Sequence, residues 1–319
     1  MKAYNFIEGE VLAFDKPLTW TSFNLVKVVR NNLSRRLGVK KLKVGHAGTL
    51  DPLASGVMII CTGKATKQID QLQAGTKEYI ATLRLGCTTP SFDAEHPVDQ
   101  TYPTSHITRE KVLEALSRFK GSIWQIPPVY SACKVDGRRA FDYVRQGEEV
   151  ELKAKELVID EIELLDLHLP QQGIISTLAP EVARMAREDV DIKDFSRRKQ
   201  RVEDLGIIPR KQAESESVEA AGAAAEGLDS EKQAAEVTKP NAIADADVNP
   251  ETLSYLTIRV VCSKGTYIRA LARDIGQALQ SGAYLIGLRR TRVGDFHVDQ
   301  CLKINNVEQW ALDVPIVTN

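Results

Sequence analysis

Residues 43–56 read Lys43-Val44-Gly45-His46-Ala47-Gly48-Thr49-Leu50-Asp51-Pro52-Leu53-Ala54-Ser55-Gly56. The stretch sets one carboxylate, Asp51, among glycines and directly before a proline. Glycine lets the backbone take positive φ and lets a ligand come close, and Pro52 stiffens the turn after the carboxylate. Rich in glycine, Lys41 to Gly56 reads as a loop. An Asp-Pro pair in a loop is by itself most often a turn, so a chemical role for Asp51 has to be argued from the rest of the chain.

Working outward, a helix is predicted on the N-terminal side from about Ser22 to Leu37. Leu25, Val29, Leu33 and Leu37 recur every four residues, Thr21 or Ser22 can cap the start, and Gly38 can end it. On the C-terminal side Val57 to Cys61 is an apolar run of the buried-strand type. Lys77 to Gly86 alternates, with Tyr79, Ala81, Leu83 and Leu85 on one face, and reads as a strand. Val112, Leu113, Leu116 and Phe119 form a helical stripe closed by Gly121. Leu256, Ile258, Val260 and Cys262 alternate as a strand. Ile268, Leu271, Ile275 and Leu279 mark one face of a helix with Gly282 as its stop, and Val293 to Val298 is a candidate last strand. Composition and pattern together say mixed α and β.

Between the two halves the character changes. Gln171 to Gln212 is highly charged, with the basic cluster Arg197, Arg198, Lys199 and Arg201. Ala213 to Pro250 holds nine acids against two bases and no aromatic residue, too little apolar surface to offset its ordering entropy. The expected organisation is a folded first part over 1–170, an insertion over 171–250 that is disordered over 213–250, and a second folded part over 251–319. The formal charge of the chain is −1, so the acidic segment leaves a moderately basic folded body, compatible with a polyanionic partner. No stretch approaches the ~18 apolar residues that cross a bilayer, and Met1 to Glu10 lacks an export signal. The five cysteines, Cys61, Cys87, Cys133, Cys262 and Cys301, make no C-x-x-C pair. Reduced thiols in a cytoplasmic protein are the simplest reading.

The 43–56 stretch resembles the signature loop of the TruB family of pseudouridine synthases, which make pseudouridine at position 55 of transfer RNA. Four further blocks resemble the family in the same order. They are Asp15-Lys16-Pro17; Lys77-Glu78-Tyr79-Ile80-Ala81-Thr82-Leu83-Arg84-Leu85-Gly86; Gln125-Ile126-Pro127-Pro128-Val129-Tyr130-Ser131-Ala132 with Lys134 and Gly137; and Cys262-Ser263-Lys264-Gly265-Thr266-Tyr267-Ile268-Arg269 followed by Leu288-Arg289-Arg290. The resemblance covers nearly everything but the insertion and the tail.

It implies an α+β pseudouridine synthase fold, a mixed and mainly antiparallel sheet flanked by helices with a central RNA-binding cleft. It also implies a role for each of several residues. Asp51 aligns with the catalytic aspartate, Tyr79 with the aromatic that stacks on the target base, and Arg269 with the arginine paired to the aspartate. His46, Tyr267 and Leu288 align with residues lining the pocket for the flipped nucleotide. By spacing alone, Tyr79, Tyr267 and Leu288 would be core, and His46 an ordinary loop histidine. The reaction breaks a glycosidic bond, turns the uracil and joins its C5 to the sugar, so neither cofactor nor metal is expected. A carboxylate could attack C1′, add to C6 or remove a sugar proton. The implied partner is the T-arm of transfer RNA, with no membrane and no obligate protein partner. About 20 residues follow the last candidate strand, fewer than the PUA domain that ends many bacterial members. Two rival readings are an RNA chaperone and the catalytic subunit of a guide-RNA particle.

Overall fold

The computed structural model describes residues 3–170, 173–176, 253–304 and 307–317. The proposed disordered segment 213–250, the basic cluster 197–201 and most of the 171–250 insertion lie outside the described residues. Residues Gly173–Ser176, at the start of that stretch, form a strand.

In chain order the strands are β1 (Val11–Lys16), β2 (Val44–Ala47), β3 (Ala54–Thr62), β4 (Lys77–Leu85), β5 (Cys87–Thr88), β6 (Gln100–Thr101), β7 (Gly121–Gln125), β8 (Lys134–Val135), β9 (Arg138–Arg139), β10 (Lys155–Leu169), β11 (Gly173–Ser176), β12 (Tyr255–Cys262), β13 (Ala283–Val293), β14 (Phe296–His297) and β15 (Leu302–Lys303). The helices are α1 (Ser22–Leu37), α2 (Ile69–Ala74), α3 (Arg109–Ser117), α4 (Ala140–Arg145), α5 (Ile268–Ala278) and α6 (Val307–Asp313).

Among the described residues, eleven strands make one mixed sheet. Its path is β11-β10-β12-β4-β13-β3-β1-β15, with β14 added to β13, β2 to β3 and β7 to β10. Only the β3–β13 and β1–β15 pairs in this sheet are parallel. The expected α+β class with a mainly antiparallel sheet and flanking helices is what the chain forms.

Local chemistry explains the helices that position the sheet. The Thr21 hydroxyl accepts from the Asn24 N–H at 3.0 Å and starts α1, and Gly38, at φ 65°, ends it in the left-handed region. Leu25, Val29 and Leu33 of α1 are fully buried against Phe14, Met58 and Ile60. Each such side chain contributes ~1.5–3 kcal/mol of burial free energy. A second core joins β4 and β12 to α3 and α5, with Ala81, Leu83, Ile258, Val260, Leu271 and Ile275 at its centre.

The 43–56 stretch departs from the all-loop expectation. Val44–Ala47 is a strand, pairing antiparallel with Ile59–Thr62, and β3 begins at Ala54. Val44 and Ala47 are buried, so packing overrides the glycine signal. What remains as loop is 48–53, the segment that carries Asp51. The last expected strand, over residues 293–298, holds the end of β13 and the short β14 paired back onto it, while β13 itself starts at Ala283, ten residues before Val293, and lies between β3 and β4.

That placement builds the site. Along β13, Leu288 faces Ala54 of β3 and Ala81 of β4, and Arg290 faces Gly56 of β3 and Tyr79 of β4. The loop after β2, the start of β4, the middle of β13 and the start of α5 therefore converge on one side of the sheet.

Candidate active site

Asp51 projects from the 48–53 loop, its side chain 40% exposed, and Oδ2 lies 3.0 Å from Nε of Arg269. Arg269 is the second residue of α5 and is only 7% exposed. A cation at a helix N-terminus opposes the macrodipole, and burial adds a desolvation cost. Its surroundings supply the compensation. Nη1 lies 3.4 Å from Asp93 Oδ2 and donates to the Ser91 carbonyl at 3.3 Å, and Nη2 donates to the Tyr130 carbonyl at 3.0 Å. Burial pulls the Arg269 pKa down, but the Asp51 and Asp93 carboxylates hold it above its ordinary value. Asp93 is buried deeply enough that desolvation raises its pKa, against the pull of Arg269 and the Ser91 hydroxyl. The result is a three-member network, Asp51–Arg269–Asp93, with one carboxylate at the surface of a cavity and the other sealed beneath.

The cavity, of about 330 Å³, is lined by residues that include Asp51, Tyr79, Tyr267, Arg269, Leu288 and Arg290, with Lys77 and Lys264. Five of the six residues singled out from the sequence thus meet in one place. His46 is the sixth and does not line this cavity. It sits on β2 opposite Ile60. Its imidazole is held below its usual pKa, first by burial and then by Arg290. Tyr79 is buried in the cavity wall, and desolvation raises its phenol pKa. Tyr267 is held by its backbone, whose N–H donates to Gln125 Oε1 at 2.9 Å, and burial likewise raises its phenol.

Three residues not singled out from the sequence complete the architecture. Arg290 is 2% exposed. Its Nε donates to the Val57 carbonyl at 2.8 Å, Nη2 to Gly48 at 3.2 Å and Nη1 to Thr49 at 3.4 Å. It therefore pins the start of the Asp51 loop, together with β3, to β13. Lys16, fully buried, donates to the carbonyls of Pro17 and Trp20 at 2.9 and 2.7 Å. Both lie inside blocks that resembled the family. Asp93 lies outside every such block, and nothing local marks it.

Chemically, the site offers one accessible carboxylate fixed by a guanidinium, two aromatic walls, an aliphatic wall, and cations facing a concave space. Among the described residues no cluster of three His, Cys, Asp or Glu side chains is placed to hold a metal ion, and no helix is long and apolar enough to cross a membrane.

Comparison with known proteins bears on this geometry. Residues 35–182 match the family model described as TruB family pseudouridylate synthase, N-terminal domain. Residues 269–314 match the tRNA pseudouridylate synthase B C-terminal domain. The chain is 51% identical over 306 residues to the tRNA pseudouridine synthase B of Phocaeicola vulgatus, covering 96% of this chain and 94% of that protein. It is 49% identical to that of Bacteroides thetaiotaomicron with the same coverage, and 34% identical to that of Flavobacterium johnsoniae, covering 97% and 99%. Among solved structures, a chain of a Cbf5-Nop10-Gar1 complex superposes with a TM-score of 0.51 at 20% identity, over 96% of this chain and 55% of that one. That likeness concerns the fold. With two family models matched in order and half of all positions shared with full-length relatives, the chain belongs to the TruB family of pseudouridine synthases.

Proposed function

We propose that the chain isomerises the uridine at position 55, in the T-loop of transfer RNA, to pseudouridine, with Asp51 as the carboxylate that acts on the extruded nucleotide. The observation that carries the reading is the Asp51–Arg269 pair, 3.0 Å apart, at a 330 Å³ cavity walled by Tyr79, Tyr267 and Leu288. The volume falls in the ~300–1,000 Å³ range of ligand pockets. A stacked base must first be turned out, at a cost of a few kcal/mol. Stacking on an aromatic face such as Tyr79 recovers ~1–3 kcal/mol of that.

In this reading Arg269 keeps Asp51 ionised and aimed, and Asp93 holds Arg269 from below. Leu288 and Tyr267 confine the uracil while its C1′–N1 bond breaks and the C1′–C5 bond forms. The proton lost from C5 is balanced by the one gained at N1, so no oxidant or group donor enters. His46, on β2, contacts the flipped nucleotide. The catalytic body is residues 1–170 and 251–319 with the strand Gly173–Ser176, which adds to the sheet beside β10, and the rest of 171–250 is inserted. The enzyme works in the cytoplasm on the T-arm, with no obligate protein partner.

The test is to incubate the purified protein with unmodified transfer RNA transcript and map pseudouridine by position. One new pseudouridine, at 55, is expected, absent with Asp51→Asn while RNA affinity is kept. A transcript left unmodified until other proteins or a guide RNA are added would overturn the reading. So would an Asp51→Asn variant that still makes product.

A further inference from the structure

Arg269 is held by two separate loops, and one side chain joins them. The β5–β6 loop supplies the Ser91 carbonyl to Nη1 and the Asp93 carboxylate to the same nitrogen. The segment after β7 supplies the Tyr130 carbonyl to Nη2. His96, from the β5–β6 loop, touches both. Its Nδ1 lies 3.0 Å from Ser91 Oγ, and its ring packs on the Tyr130 ring with centroids 4.6 Å apart.

The direction of the hydrogen bonds follows from the chemistry of the partners. Ser91 Oγ lies 2.6 Å from Asp93 Oδ1, and an ionised carboxylate only accepts. The hydroxyl proton therefore goes to Asp93, which leaves Oγ only lone pairs to offer His96. His96 accordingly presents Nδ1–H. The chain runs His96 Nδ1–H to Ser91 Oγ–H to Asp93 Oδ1, while Asp93 Oδ2 faces Arg269 and Arg269 faces Asp51. The Glu95 N–H adds a second donor to Asp93 Oδ1 at 3.0 Å.

We propose that His96 is a positioning residue for the isomerisation: it staples together the two loops that hold Arg269 and, through Ser91, orients Asp93, so that Arg269 is fixed where it meets Asp51. The proposal rests on the reading of Asp51 as the acting carboxylate. His96 is linked to Arg269 through Ser91, Asp93 and Tyr130 and does not line the cavity, so its effect falls on the chemical step and not on RNA binding.

Two substitutions separate its contacts. His96→Phe keeps a ring against Tyr130 and loses the nitrogen. His96→Asn sets an amide N–H near the position of Nδ1 and loses the ring. Single-turnover pseudouridine formation and the Kd for transfer RNA are measured for both, beside Ser91→Ala and the Ser91→Ala/His96→Phe double variant. His96→Phe is expected to slow the single-turnover rate about 3- to 10-fold, the equivalent of one net hydrogen bond, at unchanged Kd. His96→Asn, which keeps a donor for Ser91 but no longer packs on Tyr130, restores only part of the rate, and the double variant is no slower than Ser91→Ala because both act through one link. A His96→Phe enzyme as fast as the unaltered one would overturn the proposal. So would His96→Asn being as slow as His96→Phe, or a double variant whose losses multiply. Asp51→Asn is run in parallel. Product from it would sink the underlying reading, whereas its inactivity beside a fully active His96→Phe sinks only the role of His96.

Discussion

A Cβ built on Gly56 would fall 2.1 Å from the carbonyl oxygen of Arg290. The two residues are direct partners in the parallel β3–β13 pair, and Gly56 sits at φ 107°, where side chains are strained. The close approach lets β13 lie near enough for the Arg290 guanidinium to reach the carbonyls of Gly48 and Thr49, and so fixes the Asp51 loop. Gly56→Ala should therefore destabilise the fold by ~2–3 kcal/mol or more, since strain and a backbone clash add. Gly38→Ala is the control, with a positive φ but nothing within 4 Å, and should cost only ~1 kcal/mol. Urea unfolding of both variants measures the difference. Equal losses would mean that the β3–β13 contact does not matter.

Arg269 is the next test. Lysine keeps the charge but not the planar fork that serves Asp51, Asp93 and two carbonyls at once. Arg269→Lys should cut the single-turnover rate ~100-fold or more while RNA affinity changes little. Asp93→Asn should cost ~10-fold or more, since a buried guanidinium loses one of its two carboxylates. A drop seen only in affinity would place Arg269 in RNA binding instead.

How far the sequence foretold this arrangement depends on how local each signal was. The helix α1 was legible because Leu25, Val29 and Leu33 keep helical spacing between a threonine cap and Gly38. Asp51, Tyr79 and Arg269 were legible through extended motifs. The strand β13 was not, because register shifts between Leu285 and Gly287 and between Arg290 and Arg292 break its alternation. The strand β10 carries similar shifts and a composition, rich in Glu and Leu, that suits helices equally well. Asp93 was not legible at all: an aspartate in a loop is ordinarily solvated, and only the fold brings it beneath Arg269. Arg290 was quoted as part of a motif, yet its role depends on three carbonyls from another strand and loop.

The cavity lining includes Lys77, Lys264, Arg269 and Arg290, of which Lys264 is exposed. If this face meets the phosphate backbone, the association constant should fall with salt by ~0.7–0.9 log units per log of salt for each phosphate neutralised. Lys264→Gln should flatten that slope by about one such step, leaving the single-turnover rate at saturating RNA close to that of the unaltered chain. Filter binding at several salt concentrations checks both. An unchanged slope in the variant would put the RNA elsewhere.

The last prediction concerns Lys16. Burial pushes its pKa from 10.5 down to about 7, with Asp51 pulling it back and Arg290 lowering it further. Lys77 is lowered to about 8, again chiefly by burial. A base whose pKa is depressed on folding contributes stability that is present above its unfolded pKa and lost as pH falls through its folded pKa. Between those values the unfolded chain holds a proton that the folded chain has released, so stability rises with pH. The window is bounded above by the buried thiols. Burial raises Cys61 and Cys262 from 9.0 to about 11, so beyond about pH 9 the folded chain keeps protons that the unfolded chain loses and the slope turns against folding. The unfolding free energy should therefore climb between about pH 7 and 9, by up to ~1 kcal/mol per pH unit from Lys16. Lys16→Met should lose that share of the slope while also lowering stability overall, since the Pro17 and Trp20 carbonyls lose their donor. Urea titrations at about pH 7, 8 and 9 separate the two effects, the slope reporting the titration and the offset the hydrogen bonds. An identical slope in both proteins would mean that the buried ammonium keeps its proton across the window.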